Sequence, residues 1–320
     1  MEYRKLGRSP LEISEISLGC WAMGGDYWGT ADDRESIATI EKALEGGINF
    51  FDTAELYGRG HSEEVLGKAL KEYRDKVYIS TKVWRTNMRK QDVKRACENS
   101  LKRLQTDYID VYFIHYPSDD VPIEETMEAM QELNEEGKIR VIGLSNFSLE
   151  QMKEALRIAR YEVIQPCYNL LWRFIEKDIL PFCRENEIGI VAYSPLAQGL
   201  LTGKFTKDWT FPEGDGRKKA PLFQPEWFSQ CIDVAEALKP FAEKYGKTQA
   251  QVAINWINAQ PGITSSIVGA RRPEQIQENL GATGWRLSHE DIEAIDKISR
   301  KVTDKLPRFQ SFFVNKVIEG

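Results

Sequence analysis

The sequence predicts an α/β protein of the (β/α)8 TIM-barrel class, with an amino-terminal β-hairpin and a long loop after the seventh barrel strand. Three observations lead there. Eight short apolar runs rich in β-branched and aromatic residues recur along the 320-residue chain, each bounded by turn or polar residues. Amphipathic helical stripes lie between the runs. Runs such as VYFIH and IVAY lack period-2 alternation, as expected of parallel strands covered on both faces.

In chain order, Tyr3 to Leu6 and Leu11 to Ile16 flank Gly7-Arg8-Ser9-Pro10, a turn-forming stretch that makes this segment a small hairpin placed to plug the bottom of the barrel. The strands expected for the barrel are Ile16 to Gly19, Ile48 to Asp52, Val77 to Lys82, Tyr108 to His115, Arg140 to Ser145, Val163 to Pro166, Ile188 to Tyr193 and Ser265 to Gly269. The clearest helix stripe is Val93, Ala96, Cys97, Ser100, Leu101 and Leu104, at i, i+3, i+4, i+7, i+8 and i+11. Others run through Ile37, Ile40 and Leu44, through Met127, Met130 and Leu133, through Leu149, Met152 and Leu156, and through Val252, Ala253, Trp256 and Ile257. The stretch from Ala197 to Phe228 is rich in Gly, Lys and Pro and reads as a functional loop and lid candidate. An open doubly wound sheet is the alternative fold, but its dinucleotide-binding form calls for G-x-G-x-x-G after an early strand. The nearest stretch, Gly58-Arg59-Gly60, ends in Glu63.

The length allows one large domain or two, and the continuous strand-helix alternation favours one barrel over residues 1–320. A net charge of −6 gives no overall field for nucleic acid. Five cysteines, at 20, 97, 167, 183 and 231, form neither a CxxC motif nor a disulfide framework. No run of 18 apolar residues occurs and the first residues lack a signal-peptide core, so a soluble cytoplasmic protein without a membrane partner is expected. The three histidines lack HExxH spacing and no Cys/His cluster exists, so no metal is expected.

A barrel's active site lies at the carboxyl ends of its strands, so the polar residues ending the apolar runs are the candidates. Asp52 ends the second run, with Tyr57 in the loop after it; Lys82 ends the third and His115 the fourth. Singly, each has an ordinary reading: a cap, a surface aromatic, a snorkelling lysine, a core histidine. Together they form a proton-transfer set, because a lysine cation lowers the pKa of a neighbouring phenol and an aspartate holds that cation in place. Near the end of the eighth run, Arg271 and Arg272 precede a helix expected to start at Pro273, and guanidinium groups beside a helix N-terminus form an anion site.

Across nearly its whole length the chain resembles the aldo-keto reductase superfamily. The resemblance is carried by GINFFDTAELYGRGHSEEVLGKAL, by LQTDYIDVYFIHYP with GKIRVIGLSNFS, and by GARRPEQIQENLGA. LGCWAMGG, IQPCYNLLWR and AYSPLAQGLLTGKF are similar to the branch of bacterial NADP-dependent reductases near the potassium-channel β subunits. The resemblance implies an NADPH-dependent oxidoreductase that interconverts small-molecule carbonyls and alcohols, with NADP(H) as cofactor, as a monomer or homo-oligomer. Tyr57 would be the general acid, Lys82 and Asp52 its tuning pair, and His115 the residue orienting the carbonyl. Ser145, Asn146 and Gln165 would bind the nicotinamide carboxamide, with Tyr193 stacked on its ring. Ser194, Pro195, Leu196, Gln198, Gly199, Leu200 and Lys204 would wrap the pyrophosphate, with Arg217 reaching it from the lid. Gly269, Ala270 and Arg271 would face the 2′-phosphate, and Gln275, Glu278 and Asn279 the adenosine. Trp21 counts with both cofactor and substrate, and Trp84 and Tyr116 complete the substrate mouth. Two rival functions are a hydrolase on the same fold, which needs a second rim carboxylate, and an NADP-binding regulatory subunit with slow turnover.

Overall fold

The structure, a computed structural model, describes residues 1–25 and 29–317. β1 (Tyr3–Lys5) and β2 (Glu12–Ser14) form the antiparallel hairpin. Eight parallel strands then close into a barrel: β3 (Ile16–Gly19), β4 (Phe50–Asp52), β5 (Tyr78–Val83), β6 (Ile109–Ile114), β7 (Ile139–Ser145), β8 (Val163–Gln165), β9 (Gly189–Tyr193) and β10 (Ile263–Gly269). Neighbours in sequence are neighbours in the barrel, and β10 pairs with β3 to close it.

The crossovers are α1 (Asp33–Glu45), α2 (His61–Leu70), α3 (Lys90–Leu104), α4 (Ile123–Glu135), α5 (Leu149–Ile158) and α6 (Ile179–Glu185), one between each successive pair from β3 to β9. Between β9 and β10 come α7 (Pro225–Glu236), α8 (Lys239–Tyr245) and α9 (Gln249–Asn258); α10 (Pro273–Leu280) and α11 (His289–Thr303) follow β10. The stripe expected on α3 is the buried face found there, Val93, Ala96, Cys97, Ser100 and Leu104. Local signals set the helix starts: the Asp32 side chain caps α1, and capping boxes at Ser148 and Thr248 open α5 and α9. No described helix is long and apolar enough to cross a membrane.

Inside the barrel, Phe50, Val111, Phe113, Val141, Val163, Val191 and Ile267 from the strands pack with Leu6, Leu11 and Ile13 from the amino-terminal segment. The hairpin therefore plugs the amino-terminal mouth, and a ligand has only the opposite, carboxyl face to enter.

Two segments depart from expectation. The stretch 197–228 is not one irregular loop: it holds short 3-10 turns at Ala197–Thr202, Gly216–Lys219 and Pro221–Phe223, and α7 already begins at Pro225. Pro225 occupies the first helical turn, where its missing N–H costs nothing, and Phe228, Cys231, Ile232 and Ala235 make the buried stripe. After α11, an unexpected second hairpin forms from β11 (Phe309–Ser311) and β12 (Val314–Val317). It is anchored on Trp172, against which Phe309 stacks at 5.9 Å and Phe312 packs edge-on at 5.1 Å between ring centres.

Candidate active site

The strand ends bring Asp52, Lys82 and Gln165 together from β4, β5 and β8. Lys82 Nζ donates to Asp52 Oδ2 at 2.7 Å, to the Thr53 carbonyl at 2.6 Å and to Tyr57 Oη at 3.3 Å. The other oxygen of Asp52 accepts from Ser80 Oγ at 2.7 Å and from Gln165 Nε2 at 2.8 Å. An ammonium has only donors, so Tyr57 accepts from Lys82 and directs its own hydroxyl hydrogen elsewhere. Lys82 is completely buried, and burial pushes its pKa down even though Asp52 acts to raise it.

Tyr57 is placed by a backbone contact between two loops. Gly58 has φ +57°, and a Cβ there would stand 2.1 Å from the carbonyl oxygen of Gly24; a Cβ on Gly24 would stand 2.6 Å from the nitrogen of Gly58. Glycine at both positions lets the loops after β3 and β4 touch main chain to main chain. Trp21 is thereby stacked over Tyr57, at 5.7 Å between ring centres. On the other side of Tyr57, His115 lies edge-on at 5.8 Å, flanked by Trp84 at 5.1 Å and Tyr116 at 5.3 Å. Burial first, and the Lys82 charge second, hold the His115 pKa well below the usual imidazole value, so the ring is neutral near pH 7. Its Nδ1 is buried without a hydrogen-bond partner among the described residues.

At the end of β7, Asn146 (φ +62°) donates to the His115 carbonyl and to Ser145 Oγ, both at 3.0 Å, and accepts from Tyr193 Oη at 2.9 Å. A cavity of about 830 Å³ runs from Tyr57, His115, Trp84 and Tyr116 past Ser145, Asn146, Gln165 and Tyr193 to Arg271 and Gln275. Its middle is walled by Ser194, Pro195, Leu196, Gln198, Gly199, Lys204 and Arg217, and its far end by Gly269 and Ala270 as well. Positive φ at Ser194, Ala197, Gln198 and Gly199 folds this wall into tight turns. Both polar atoms of the Gln198 amide are buried there with no partner among the described residues.

Some expected site residues stand apart from the cavity wall. Lys82 lies behind Asp52 and Tyr57 and reaches the cavity through them. Leu200 is fully buried in the core, because the left-handed turn at Gln198 and Gly199 aims it inward. Glu278 is exposed on α10, outside the lining, and its carbonyl accepts from Gln251 Nε2 at 2.8 Å. Asn279 is buried and donates to the Gly269 carbonyl at 3.3 Å, joining α10 to the end of β10. Arg217 lines the cavity, but its guanidinium is held by Asp215, with Nε 2.9 Å from Oδ1, and donates to the Gln198 carbonyl at 3.4 Å. Arg271 donates through Nη2 to the Thr30 carbonyl at 2.8 Å, while its backbone N–H donates to Gln275 Oε1 at 2.7 Å.

Phe313, at the tip of the C-terminal hairpin, and Asp215 also line the cavity and were not singled out in the sequence. The aromatic pair Phe312-Phe313 was the available signal for the first, though nothing local says which ring faces the cavity. Asp215 was within reach of a local argument, two residues from Arg217.

Residues 15–300 match the aldo/keto reductase family. The chain belongs to that family. It is 45% identical to an aldo-keto reductase of Bacillus subtilis (strain 168), over 93% of both chains. It is 37% identical to an NADH-specific methylglyoxal reductase of Escherichia coli (strain K12), over 95% of this chain and 98% of that one. Among solved structures, the glycerol dehydrogenase of Gluconobacter oxydans superposes with a TM-score of 0.88 at 37% identity, covering 96% of this chain and 98% of the other. Aldo/keto reductase family membership accounts for the barrel and its carboxyl-face cavity. Because the Escherichia coli relative is NADH-specific, membership alone does not choose between the two nicotinamide dinucleotides.

Proposed function

We propose that this chain is an NADPH-dependent oxidoreductase that reduces aldehyde and ketone carbonyls to alcohols, reversibly, with residues 1–320 acting as one catalytic barrel. The observation that carries the reading is the triple commitment of the buried Lys82 ammonium to Asp52, Thr53 and Tyr57. A cation fixed against a phenol oxygen stabilises the phenolate left after proton loss, and Asp52 keeps that cation in place.

The residues present fit a dinucleotide. The cavity is long and polar in its middle, it carries the Gln198 amide with no partner among the described residues, and Lys204, Arg217 and Arg271 border its far half. Ser145, Asn146 and Gln165 would hold the carboxamide, Tyr193 would face the nicotinamide ring, and Ser194 to Gly199 with Lys204 would face the pyrophosphate. Arg271 beside the N-terminus of α10 suits a 2′-phosphate, which is the ground for NADPH over NADH. When bound, the cofactor supplies the hydride that reaches the carbonyl carbon. Tyr57 gives its proton to the carbonyl oxygen, and Lys82 stabilises the tyrosinate that remains. Neutral His115 donates one N–H to that oxygen without adding a second full positive charge beside Lys82. Trp21, Trp84 and Tyr116 enclose the carbonyl compound and exclude water. All five cysteines are free and buried, which agrees with action in the cytoplasm.

The test is a panel of aldehydes, ketones and sugars assayed with NADPH and NADH by loss of nicotinamide absorbance. Rapid aldehyde-dependent oxidation, faster at limiting NADPH than at limiting NADH, is the expected result. Tight retention of the cofactor with negligible turnover on every compound would favour the regulatory-subunit reading.

A further inference from the structure

β4 ends at Asp52, yet its pairing with β5 runs on in the main chain: the Thr53 N–H donates to the Ser80 carbonyl at 2.9 Å and the Glu55 N–H to the Lys82 carbonyl at 3.4 Å. A parallel ladder advances two residues at a time, so the next bond would run from the Trp84 N–H to the main-chain carbonyl of Glu55. The carboxylate of Glu55 stands there instead, with Oε1 accepting from the Trp84 N–H at 2.6 Å. A side chain thus ends the ladder in place of main chain. The backbone after Glu55 is left to turn toward Tyr57, whose N–H donates to the Ala54 carbonyl at 3.1 Å.

The same carboxylate oxygen accepts from Asn87 Nδ2 at 3.0 Å. Residues 84–87 form a β-turn, closed by the Asn87 N–H on the Trp84 carbonyl at 2.8 Å. Glu55 therefore grips this turn at both ends. The turn delivers the Trp84 ring to the cavity, edge-on to His115 at 5.1 Å and to Tyr116 at 5.6 Å. Glu55 itself is half-buried and outside the cavity lining.

The neighbouring carboxylates are held by cations, Asp52 by Lys82 and Glu63 by Arg103. Glu55 has no cation at ion-pair distance among the described residues, and its carboxylate accepts from the Trp84 turn alone. Burial pushes its carboxyl pKa up, against the pull of those two donors. Removing a carboxylate from water without a cation is unfavourable, and what offsets it here is the fixing of one turn of the cavity mouth.

We propose that Glu55 is a positioning residue of the carbonyl site: its carboxylate fixes the turn 84–87, and through it the Trp84 ring beside His115, and so sets how well a carbonyl compound is bound. The proposal rests on the reading of His115 and Trp84 as the carbonyl end of the cavity. Glu55 reaches neither the reacting atoms nor the cofactor walls, so its effect falls on KM for the carbonyl compound and leaves NADPH binding alone.

The test compares the full-length wild type with Glu55→Ala, Glu55→Gln and Asn87→Ala, in aldehyde kinetics at saturating NADPH and in NADPH titrations. Glu55→Ala should raise KM for an aromatic aldehyde roughly tenfold, the lower end for losing a charge-assisted bond, with kcat changed less than about threefold. Asn87→Ala keeps the bond to Trp84 and should raise KM roughly threefold. Glu55→Gln, whose amide oxygen can still accept the Trp84 N–H, should recover most of the loss. NADPH affinity should be the same throughout. An unchanged KM in Glu55→Ala, a kcat loss larger than the KM rise, no recovery in Glu55→Gln, or a matching weakening of NADPH would overturn the proposal. If Glu55→Ala does not fold, the other two variants decide, and a wild-type KM in Asn87→Ala overturns it. Wild type that turns over no aldehyde would instead overturn the functional reading beneath it.

Discussion

The two ends of the barrel both bury carboxylates against cations, yet they are built on different rules. At the amino end, Asp110 is fully buried and takes its bonds from Arg74 at 2.7 Å, Arg140 at 3.0 Å and the Ile79 N–H at 2.9 Å. Both guanidinium groups also lie 3.9 Å from the centre of the Tyr108 ring. Glu15, likewise buried, is held by Arg4 and Arg286. Arginine keeps its charge in any surroundings, and its planar fork matches a carboxylate, so this end is electrostatically closed. At the carboxyl end the cation behind Asp52 is a lysine, whose proton affinity burial can move, and His115 Nδ1 and the Gln198 amide have no hydrogen-bond partner among the described residues. Satisfied arginine pairs suit a folding role, and a tunable lysine beside polar groups with no partner among the described residues suits a proposed ligand site.

If that contrast is right, the two ends respond oppositely to mutation. The largest expected effect is at the carboxyl end: Tyr57→Phe should lower aldehyde kcat/KM by ~10² to 10⁴-fold or more, with NADPH affinity and the thermal midpoint little changed. Lys82→Met should do nearly as much, and the double variant should fall well short of the product of the two losses, because the pair acts as one unit. Multiplicative losses would break the proton-transfer reading. Next comes Asp110→Ala, which strands two guanidinium groups. It should cost about 3 to 5 kcal/mol in urea unfolding, toward the lower figure because Arg140 is half exposed. Turnover per folded molecule should be unaffected, and a kcat loss to match the stability loss would erase the distinction between the ends.

A smaller effect is expected from Arg271→Ala, which should remove most of a roughly tenfold to hundredfold preference for NADPH while leaving NADH binding almost as it was. In wild type the preference should shrink as salt rises. Equal losses for both cofactors would mean that Arg271, through Thr30, supports the loop and does not read a phosphate. The smallest effect concerns pH. Folded His115 takes up a proton only well below 6.5, whereas the unfolded chain takes it up near that value. In that window the unfolded state binds more protons, so stability present above it is lost as pH falls, by at most about 1.4 kcal/mol per pH unit. His115→Asn should flatten this part of a urea-midpoint profile, and an unaltered slope would show that burial of His115 is not what shapes it.

Much of this was legible in the amino-acid sequence. The eight barrel strands fall within two residues of their expected ends, because runs such as Tyr108 to His115 are covered on both faces and their composition is itself the signal. Asp52, Lys82 and His115 stood out as polar residues ending such runs. The C-terminal hairpin was not legible, since strands of three and four residues with an exposed face carry too little pattern to read. Nor was the inward turn of Leu200, which depends on left-handed backbone at Gln198. The start of α7 could have been found, because Phe228, at the end of the stretch that composition marks as loop, keeps helical spacing with Cys231, Ile232 and Ala235 beyond it. The place of Phe313 beside Tyr193 is purely tertiary, joining positions 120 residues apart in the chain.

The burial of Lys82 behind Asp52, Thr53 and Tyr57 has a consequence for chemical labelling. A water-borne acylating reagent modifies only amines it can touch, and this amine has no exposed surface in the folded protein. Its acylation must wait for the ends of β4 and β5 to come apart. Followed by mass spectrometry under mild conditions, the slow appearance of label on this one lysine would count the openings of the barrel's mouth, and a bound ligand that braces the mouth would slow that clock.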